Sequence, residues 1–213
     1  MDALNAQRAH IFRITHRNNI PWILDHGLHC QSSNTQDPNF VPIGMKELIE
    51  RRQRRSVGIG PGGTLSDYIP FYFTPYSIMM YNIKTGYNGV TQRPNDEIVI
   101  MVSSIPCLVK MGISFVFTDA HAYAYEANYF DSVNDLSKID WVLLNKRDFR
   151  RDPDDPAKQS RYQAEALVYN HLPVNGLLGI ACYNSQVCRD IANQVKQREQ
   201  AIHVKVCSGW YFK

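Results

Sequence analysis

The pattern of apolar and polar positions along the chain predicts a fold built mainly from β-strands. Seven segments have the length and the enrichment in β-branched or aromatic residues that strands show. They lie at residues 11–16, 68–74, 97–104, 115–118, 164–169, 179–183 and 202–207. Strands and helices do not alternate regularly along the chain, which argues against a doubly wound parallel sheet. The expected fold class is therefore α+β.

A short helix is predicted directly after the first strand. Asn19 belongs to the residue types that cap helix N-termini, and Pro21 would lie in the first turn, where its missing N–H removes no hydrogen bond. Gly27 would end this helix in the left-handed conformation. The strand before the helix carries three polar side chains that could hold a phosphate or an amide, or could simply be solvated: Arg13, Thr15 and His16.

Two further helices are predicted from apolar spacing. The clearest covers Ser185–Gln200, with Ser185 as its cap and with apolar residues at helical spacing: Val187, Ile191 and Val195. Another is predicted over Met45–Arg55, with Leu48 and Ile49 facing inward. The glycine-rich segment Val57–Gly63 that follows it is predicted to be a flexible loop.

Length and composition favour a single domain covering residues 1–213, because 213 residues with 44% hydrophobic content are enough for one core. The chain has neither an apolar run of about eighteen residues nor a secretory signal, so we expect no membrane partner. Its five cysteines are widely spaced, and no pair has the two-residue gap of zinc or redox motifs. We therefore expect reduced thiols, no metal site and a cytoplasmic location.

The distribution of charge is more informative than its sum. The formal net charge is only +3, which is too small to indicate nucleic-acid binding by itself. Positions 51–55, however, include four arginines at the end of the helix predicted over Met45–Arg55: Arg51, Arg52, Arg54 and Arg55. This cluster is either a solvated basic face or part of a nucleic-acid interface.

A lone glutamate, Glu165, interrupts the apolar segment Gln163–Tyr169 at the end of a long polar loop. A carboxylate is rarely buried without a partner, because its removal from water costs several kcal/mol, roughly. Functional groups favour the junction of a loop and a strand, since the strand fixes the backbone and the loop admits a substrate. Glu165 is therefore a candidate catalytic residue, unless it is an exposed residue of an edge strand.

Five segments, in this order along the chain, resemble the DarT family of nucleic-acid ADP-ribosyltransferases, which are toxins of the toxin–antitoxin type. The segments are Arg13-Ile14-Thr15-His16, Glu50-Arg51-Arg52, Asp67-Tyr68-Ile69-Pro70-Phe71-Tyr72-Phe73, Phe115-Val116-Phe117-Thr118-Asp119 with His121, and Gln163-Ala164-Glu165-Ala166-Leu167-Val168-Tyr169. Together they cover nearly the whole chain. The resemblance implies an ADP-ribosyltransferase-like split, mostly antiparallel β-sheet with flanking helices, and NAD held as a consumed substrate between its halves.

A dinucleotide site of the Rossmann type is not expected in this chain. The glycine loop within Val57–Gly63 follows a basic helix rather than a strand, and Pro61 interrupts it. The site that the resemblance implies is of a different kind.

The chemistry implied by the resemblance is transfer of ADP-ribose from NAD to a nucleobase, with nicotinamide as the leaving group. Glu165 would hold a ribose hydroxyl and offset the positive charge that develops at the glycosidic carbon. Arg52 would help the acceptor lose its proton or would polarise the base, with Arg51 as the alternative for this role. The residues expected to bind NAD are Arg13, Thr15, His16, Tyr68, Tyr72 and Ser77. Those expected to bind nucleic acid are Arg51, Arg93, His121, Arg150, Arg151 and Arg161.

The chain departs from the family pattern after Phe73. Many members read Pro-Arg-Ser-Pro-Met there, whereas this chain has Pro75-Tyr76-Ser77-Ile78-Met79. The change leaves the acceptor open among thymine in single-stranded DNA, guanine in DNA and a base in RNA, with thymine favoured by the resemblance. Single-stranded nucleic acid is the expected binding partner, and the resemblance adds a macrodomain antitoxin.

Two other functions compete with this hypothesis. One is ADP-ribosylation of a protein or of an RNA end by the same glutamate. The other is a basic nucleic-acid-binding module in which the glutamate has no catalytic role. Turnover of NAD separates the two enzymatic hypotheses from the third.

Overall fold

Eight strands form one mostly antiparallel sheet in the computed structural model, which describes residues 3–213. The strands, in chain order, are β1 (His10–His16), β2 (Leu28–His29), β3 (Tyr68–Tyr72), β4 (Ile98–Ser104), β5 (Phe115–Thr118), β6 (Tyr129–Phe130), β7 (Glu165–Tyr169), β8 (His171–Leu172), β9 (Gly179–Cys182) and β10 (His203–Val206). The sheet order is β10-β9-β4-β1-β3-β7-β5-β6, and β2 pairs with β8 separately. The pairing of β9 with β10 is parallel and the other named pairings are antiparallel.

The sheet is split between β1 and β3. On one side, β1 pairs with β4 along its full length, from His10 opposite Ser104 to His16 opposite Ile98. On the other side, β1 meets β3 at a single position, Phe12 opposite Tyr72. The two halves therefore diverge beyond this point and leave a cleft between β1 and β3. This arrangement agrees with the expected split, mostly antiparallel α+β fold.

Helices distributed along the chain flank the sheet. They are α1 (Ile20–His26), α2 (Lys46–Arg52), α3 (Ile78–Thr85), α4 (Ile105–Lys110), α5 (Trp141–Lys146), α6 (Lys158–Arg161) and α7 (Ser185–Gln197). The three helices predicted from the sequence are present, and all seven predicted strands are confirmed with ends shifted by at most two residues. Helix α2 ends at Arg52 rather than at Arg55, because the chain turns there to form the bridge between Ser56 and Thr64.

The structure corrects the details of two helix ends. The cap of α7 is Asn184, whose side chain accepts a hydrogen bond from the Val187 N–H, and not Ser185. Asn19 precedes α1 without capping it, because its amide bonds elsewhere, to Thr15 and to the backbone of Val41.

Gly27 ends α1 with a φ of +79°, but its ψ of −165° lies outside the left-handed helical region. A Cβ at this position would lie only 2.5 Å from the carbonyl oxygen of Leu172, so the close approach of β8 requires glycine here.

The main hydrophobic core lies around the central strands, where β4 and β7 are apolar and buried on both faces. Helix α7 packs Val187, Ile191 and Val195 into this core, as their spacing predicts. A smaller cluster, which includes Tyr68, Val116 and Leu167, lies under the glycine-rich loop. Within residues 3–213, none of the helices has both the length and the apolar character needed to cross a membrane.

Candidate active site

Glu165 is the first residue of β7 and lies at the head of the cleft. Its side chain is only 2% exposed, although most of its strand neighbours are apolar. The register of the sheet places it directly opposite Tyr72 of β3. Its backbone N–H donates to the hydroxyl oxygen of Thr118 at 3.2 Å, which ties the start of β7 to β5. The sheet therefore fixes the backbone of this carboxylate from both sides.

Two donors from distant parts of the chain hold the Glu165 carboxylate. Arg52, at the end of α2, donates from Nη1 to Oε2 at 3.0 Å and to Oε1 at 3.4 Å. The backbone N–H of Ala122 donates to Oε1 at 3.0 Å. Burial acts to raise the pKa of Glu165, but the positive charges of Arg52 and His121 and the Ala122 N–H outweigh it, so the pKa lies below its ordinary value. The carboxylate is thus ionised at neutral pH despite its burial.

Arg13 and Thr15 project from β1 into the cleft on the side facing β3. Arg13 donates from Nη1 to the carbonyl oxygen of Pro70 at 2.8 Å, across the split between the two halves. Burial and the nearby charge of Arg52 lower the pKa of Arg13 to about 10. The Thr15 hydroxyl accepts from the Asn19 amide at 3.0 Å, and the same amide anchors the backbone of Val41. Asn19 thereby fixes the segment that forms the outer wall of the cleft.

The cleft contains two neighbouring cavities that share Arg13, Thr15 and Arg52 as lining residues. The inner one, of about 180 Å³, is lined by Tyr72, His121 and Glu165 among others. The outer one, of about 360 Å³, extends past Tyr68 toward Trp22 and His29. Their combined size is in the range of sites that hold nucleotide-sized ligands.

Some cationic donors in this cleft have no protein partner. The Nε atom of Arg13 and the Nη2 atom of Arg52 are buried and make no hydrogen bond within residues 3–213. Buried donors are normally satisfied, so these two atoms are available to an anionic or hydroxyl-bearing ligand. The phenol of Tyr72 lies beside them, and burial together with the Glu165 charge raises its pKa. These donors fit the phosphates, ribose or amide of NAD and, in the case of Arg52, a carbonyl oxygen of an acceptor base.

Two residues that the resemblance implied for NAD binding have other partners. The ring of His16 is buried and contacts Glu97, with Nε2 at 3.4 Å from Oε2, while its Nδ1 accepts from the Asn18 N–H. Burial and then the charge of Arg93 lower the pKa of His16, although Glu97 acts to raise it. Ser77 is buried and caps α3 by accepting from the Met80 N–H. Neither residue lines the two cavities.

The residues predicted to bind nucleic acid separate into two groups. His121 lines the inner cavity beside Glu165, and Arg51 is exposed at the end of α2. The other four do not line the cavities, and three of them form ion pairs. Arg93 pairs with Glu97 at 3.0 Å, Arg150 with Asp148 at 2.8 Å, and Arg161 with Asp155 at 2.7 Å and Asp140 at 3.3 Å. Arg151 is exposed.

Sequence reasoning missed the part of the site that comes from the loop between β5 and β6. Ala122 supplies the backbone N–H to Glu165, and this loop also exposes two tyrosines, Tyr123 and Tyr125, the latter 94% exposed. Arg55 donates from Nη2 to the Ala124 carbonyl at 3.1 Å, and Tyr129 donates to the Ala122 carbonyl. An alanine carries no chemical signal in a sequence, so only the presence of His121 in the resembling segment indicated this loop.

Metal chemistry has no support from side-chain grouping. Among residues 3–213, no three His, Cys, Asp or Glu side chains are grouped so that they could hold a metal ion. All five cysteines are free thiols. What the cleft offers is an ionised carboxylate, two buried guanidinium groups and a phenol, a combination suited to stabilising positive charge at a sugar carbon while binding an anionic group.

Known proteins with ADP-ribosyltransferase activity are similar to this chain over nearly its whole length. The family model described as "ssDNA thymidine ADP-ribosyltransferase, DarT" matches residues 12–212. A DNA ADP-ribosyl transferase of Escherichia coli O127:H6 (strain E2348/69 / EPEC) is 52% identical over 210 residues, which cover 99% of this chain and 96% of the relative.

Solved structures of a Thermus sp. 2.9 protein are similar as well. Its complex with ADP-ribosylated ssDNA superposes with a TM-score of 0.87 at 32% identity and covers 100% of both chains. Its complex with NAD+ gives a TM-score of 0.84 at 31% identity and covers 97% of this chain and 98% of the other.

Proposed function

Since the chain belongs to the DarT family of ssDNA thymidine ADP-ribosyltransferases and is an NAD-dependent ADP-ribosyltransferase, we propose that it transfers ADP-ribose from NAD to the thymine base of single-stranded DNA in the cleft between β1 and β3. The observation that carries this proposal is the buried pair of Glu165 and Arg52 at the head of that cleft. Beside it, two buried arginine atoms lack a protein partner among the described residues.

Glu165 acts on the sugar. Its ionised carboxylate accepts a hydrogen bond from a ribose hydroxyl and offsets the positive charge that develops when the bond between the glycosidic carbon and nicotinamide breaks. The bonding electrons leave with nicotinamide, and a nitrogen of the acceptor base forms the new bond to the same carbon. Because Arg52 and Ala122 hold both carboxylate oxygens, the charge is in place before the reaction and needs little reorganisation.

Arg52 acts on the acceptor. A guanidinium keeps its charge in proteins, so it serves poorly as a proton acceptor and well as an electrostatic group. While Nη1 is engaged by Glu165, the unpartnered Nη2 is free to donate to a carbonyl oxygen of the base. Such a bond polarises the base and makes the proton on its reacting nitrogen easier to lose, and this proton passes to water as the new bond to the sugar carbon forms.

NAD is held by the residues that line the cavities: Arg13 and Thr15 from β1, and Tyr68 and Tyr72 from β3. Arginine suits a phosphate because its planar fork can donate two hydrogen bonds at once. The acceptor strand is bound at the open end of the inner cavity by His121 and Arg51. The residues left out of this assignment do not line the cavities, and their side chains are held by other parts of the chain: His16, Ser77, Arg93, Arg150 and Arg161.

The biological role that fits this activity is that of a toxin. Modification of DNA bases interferes with base pairing, and the family resemblance supports a macrodomain antitoxin as the partner that removes the modification. The site of action would be the cytoplasm, where DNA and NAD are both present. The family match over residues 12–212 and the pairing of eight strands in one sheet support a single domain.

Incubation with radiolabelled NAD tests the proposal directly. Label should enter a thymine-containing single-stranded oligonucleotide, and should enter much less into the same sequence as a duplex, a thymine-free strand, RNA or protein. Mass spectrometry of the nuclease-digested product should show ADP-ribose on thymidine. An adduct on an RNA nucleoside or on deoxyguanosine, with none on thymidine, would reject thymine as the acceptor and keep the enzyme class.

Glu165→Gln should abolish the transfer, because the amide cannot offset positive charge, while the fold and NAD binding persist. Glu50→Gln is the matched control, since Glu50 is an exposed glutamate on α2. A Glu165→Gln variant with near wild-type turnover would remove the basis for the site itself.

A further inference from the structure

Both backbone polar groups of Ala122 are hydrogen-bonded to side chains. Its N–H donates to Oε1 of Glu165 at 3.0 Å, and its carbonyl oxygen accepts from the hydroxyl of Tyr129, the first residue of β6. Ala122 itself is fully buried. The N–H belongs to the peptide plane before the Ala122 Cα and the carbonyl to the plane after it, so the tyrosine anchors the residue whose N–H orients the carboxylate.

Arg55 holds the next part of this loop. Its Nη2 donates to the carbonyl oxygen of Ala124 at 3.1 Å, and its guanidinium lies close enough to the phenol of Tyr129 to act on it electrostatically. The side chain comes from the turn that follows α2, one helical turn after Arg52, and the Arg55 N–H bonds the Arg52 carbonyl at 3.2 Å. The segment Arg52–Arg55 thus contacts Glu165 directly through Arg52. Through Arg55, it also binds the loop between β5 and β6 that donates to Glu165.

Tyr129 is well suited to act as a donor in this arrangement. Burial raises its pKa, and the neighbouring arginines only partly oppose that effect, so the hydroxyl stays protonated across the physiological range. The rest of the loop is closed independently, because Asn128 bonds the carboxylate of Asp119 and the His121 N–H bonds the carbonyl of Ser160. The contacts of Arg55 and Tyr129 therefore act on the central, carboxylate-facing residues of a loop whose ends are already fixed.

We propose that Arg55 and Tyr129 are positioning residues for the transfer, which act by orienting the Ala122 N–H toward Glu165. This inference rests on the proposed function of Glu165 but assigns a role to residues that touch neither NAD nor the acceptor base. The contact with the loop distinguishes Arg55 from its neighbour Arg54. The Arg54 side chain is exposed and forms no ion pair within residues 3–213.

The physical consequence is a change in both rate and pH dependence. A hydrogen bond to the ionised form of a carboxylate lowers its pKa, so a poorly aligned Ala122 N–H should raise the pKa of Glu165. The acidic limb of the pH–rate profile should then move to higher pH. Misplacement of a catalytic group by about 1 Å can lower turnover by about a hundredfold, whereas the binding of NAD through Arg13 and Thr15 should be unaffected.

The decisive variant is Tyr129→Phe, which removes one hydroxyl and leaves the ring packing intact. We expect kcat for transfer to single-stranded DNA to fall by about ten- to a hundredfold, KM for NAD to stay within about twofold, and the acidic limb to shift upward. Arg55→Ala should behave in the same way, and Arg55→Lys should recover part of the loss by donating to Ala124. Arg54→Ala and Tyr87→Phe, which alter an exposed arginine and an exposed tyrosine, are the matched controls.

The outcome that overturns the inference is a Tyr129→Phe enzyme with wild-type kcat and an unmoved acidic limb. A loss of activity that is explained entirely by a smaller folded fraction, with normal turnover per folded molecule, overturns it as well. The proposed function is judged separately: if the wild type modifies single-stranded DNA and Glu165→Gln does not, the function stands whichever result the Tyr129 variants give.

Discussion

The ion pair between Arg52 and Glu165 is buried, so we expect it to contribute little to the net free energy of unfolding. The Arg52 side chain is 11% exposed and that of Glu165 is 2% exposed, so both charges have lost most of their water. Desolvation of such a pair offsets much of its Coulombic attraction, and buried pairs often contribute little net stability. Removal of only one partner is a different matter, because it leaves the other charge buried and uncompensated.

We therefore expect Arg52→Ala to lower the free energy of unfolding by about 3–5 kcal/mol at pH 7. In the wild type the pKa of Glu165 is depressed by Arg52, so the stabilisation from this group is present above its unfolded pKa and is lost as the pH falls from there through the lower pKa of the folded state. Without Arg52, burial raises the pKa, so this contribution should reverse and the variant should gain stability relative to the wild type as the pH is lowered.

Urea denaturation from pH 7 downward, through the unfolded pKa of Glu165, measures both the loss of stability and its pH dependence. The proteins to compare are the wild type, Arg52→Ala, Glu165→Gln and the double variant. The double variant should recover much of the loss seen in Arg52→Ala, and Arg51→Ala, an exposed arginine one position earlier, is the control. Equal stability of Arg52→Ala and Arg51→Ala would contradict the importance of this buried contact.

At the scale of secondary-structure elements, the strands were more predictable than the helices. Strands such as β4 and β7 are buried on both faces, so they appear in the sequence as continuous runs of valine, isoleucine and leucine. Helices α4, α5 and α6 are only six, six and four residues long, and such lengths are too short to show helical spacing. Their formation depends on tertiary packing that no local pattern records.

The candidate site likewise contains residues that a local sequence pattern predicts and contacts that depend on tertiary packing. Glu165 is predictable because a charge inside an apolar strand is conspicuous, and Arg13 and Thr15 because they are polar residues of a predicted strand within a segment that resembles the family. The Ala122 contact was not predictable, since it joins a backbone group to a side chain 43 positions away. The ion pairs of Arg150 and Arg161 likewise depend on how the loop before β7 folds back on itself.

The cap of α7 offers a direct test of one correction. Asn184 accepts from the Val187 N–H at 3.0 Å, whereas the exposed Ser185 is already inside the helix. Asn184→Ala should lower the free energy of unfolding by about 1 kcal/mol, as is typical for loss of an N-cap, and Ser185→Ala should leave it nearly unchanged. Chemical denaturation of the two variants at pH 7 gives the comparison, and a larger effect of Ser185→Ala would restore the cap that the sequence pattern suggested.

At the scale of the whole molecule, the positive charge available to DNA is smaller than the number of arginines indicates. The segment before β7 is rich in arginine and lysine, but Asp148 binds Arg150 and Lys158, while Asp140 and Asp155 bind Arg161. A paired arginine releases few counterions when DNA arrives, because its charge is already balanced. The exposed Arg51, by contrast, forms no ion pair within residues 3–213 and lies one position from Arg52.

Binding of a short thymine-containing single strand should therefore weaken as salt rises, but through few contacts. Each neutralised phosphate of a single strand contributes a slope of about −0.7 to the plot of log K against log salt concentration. Arg51→Ala should reduce the steepness by about that amount, while Arg161→Ala should leave the slope unchanged and instead lower stability, because it frees Asp140 and Asp155. Fluorescence anisotropy in a Glu165→Gln background, which prevents turnover, gives the slopes, with Arg189→Ala on α7 as a control for an exposed arginine elsewhere. If Arg161→Ala flattens the salt dependence and Arg51→Ala does not, the DNA strand crosses the loop before β7 rather than the end of α2.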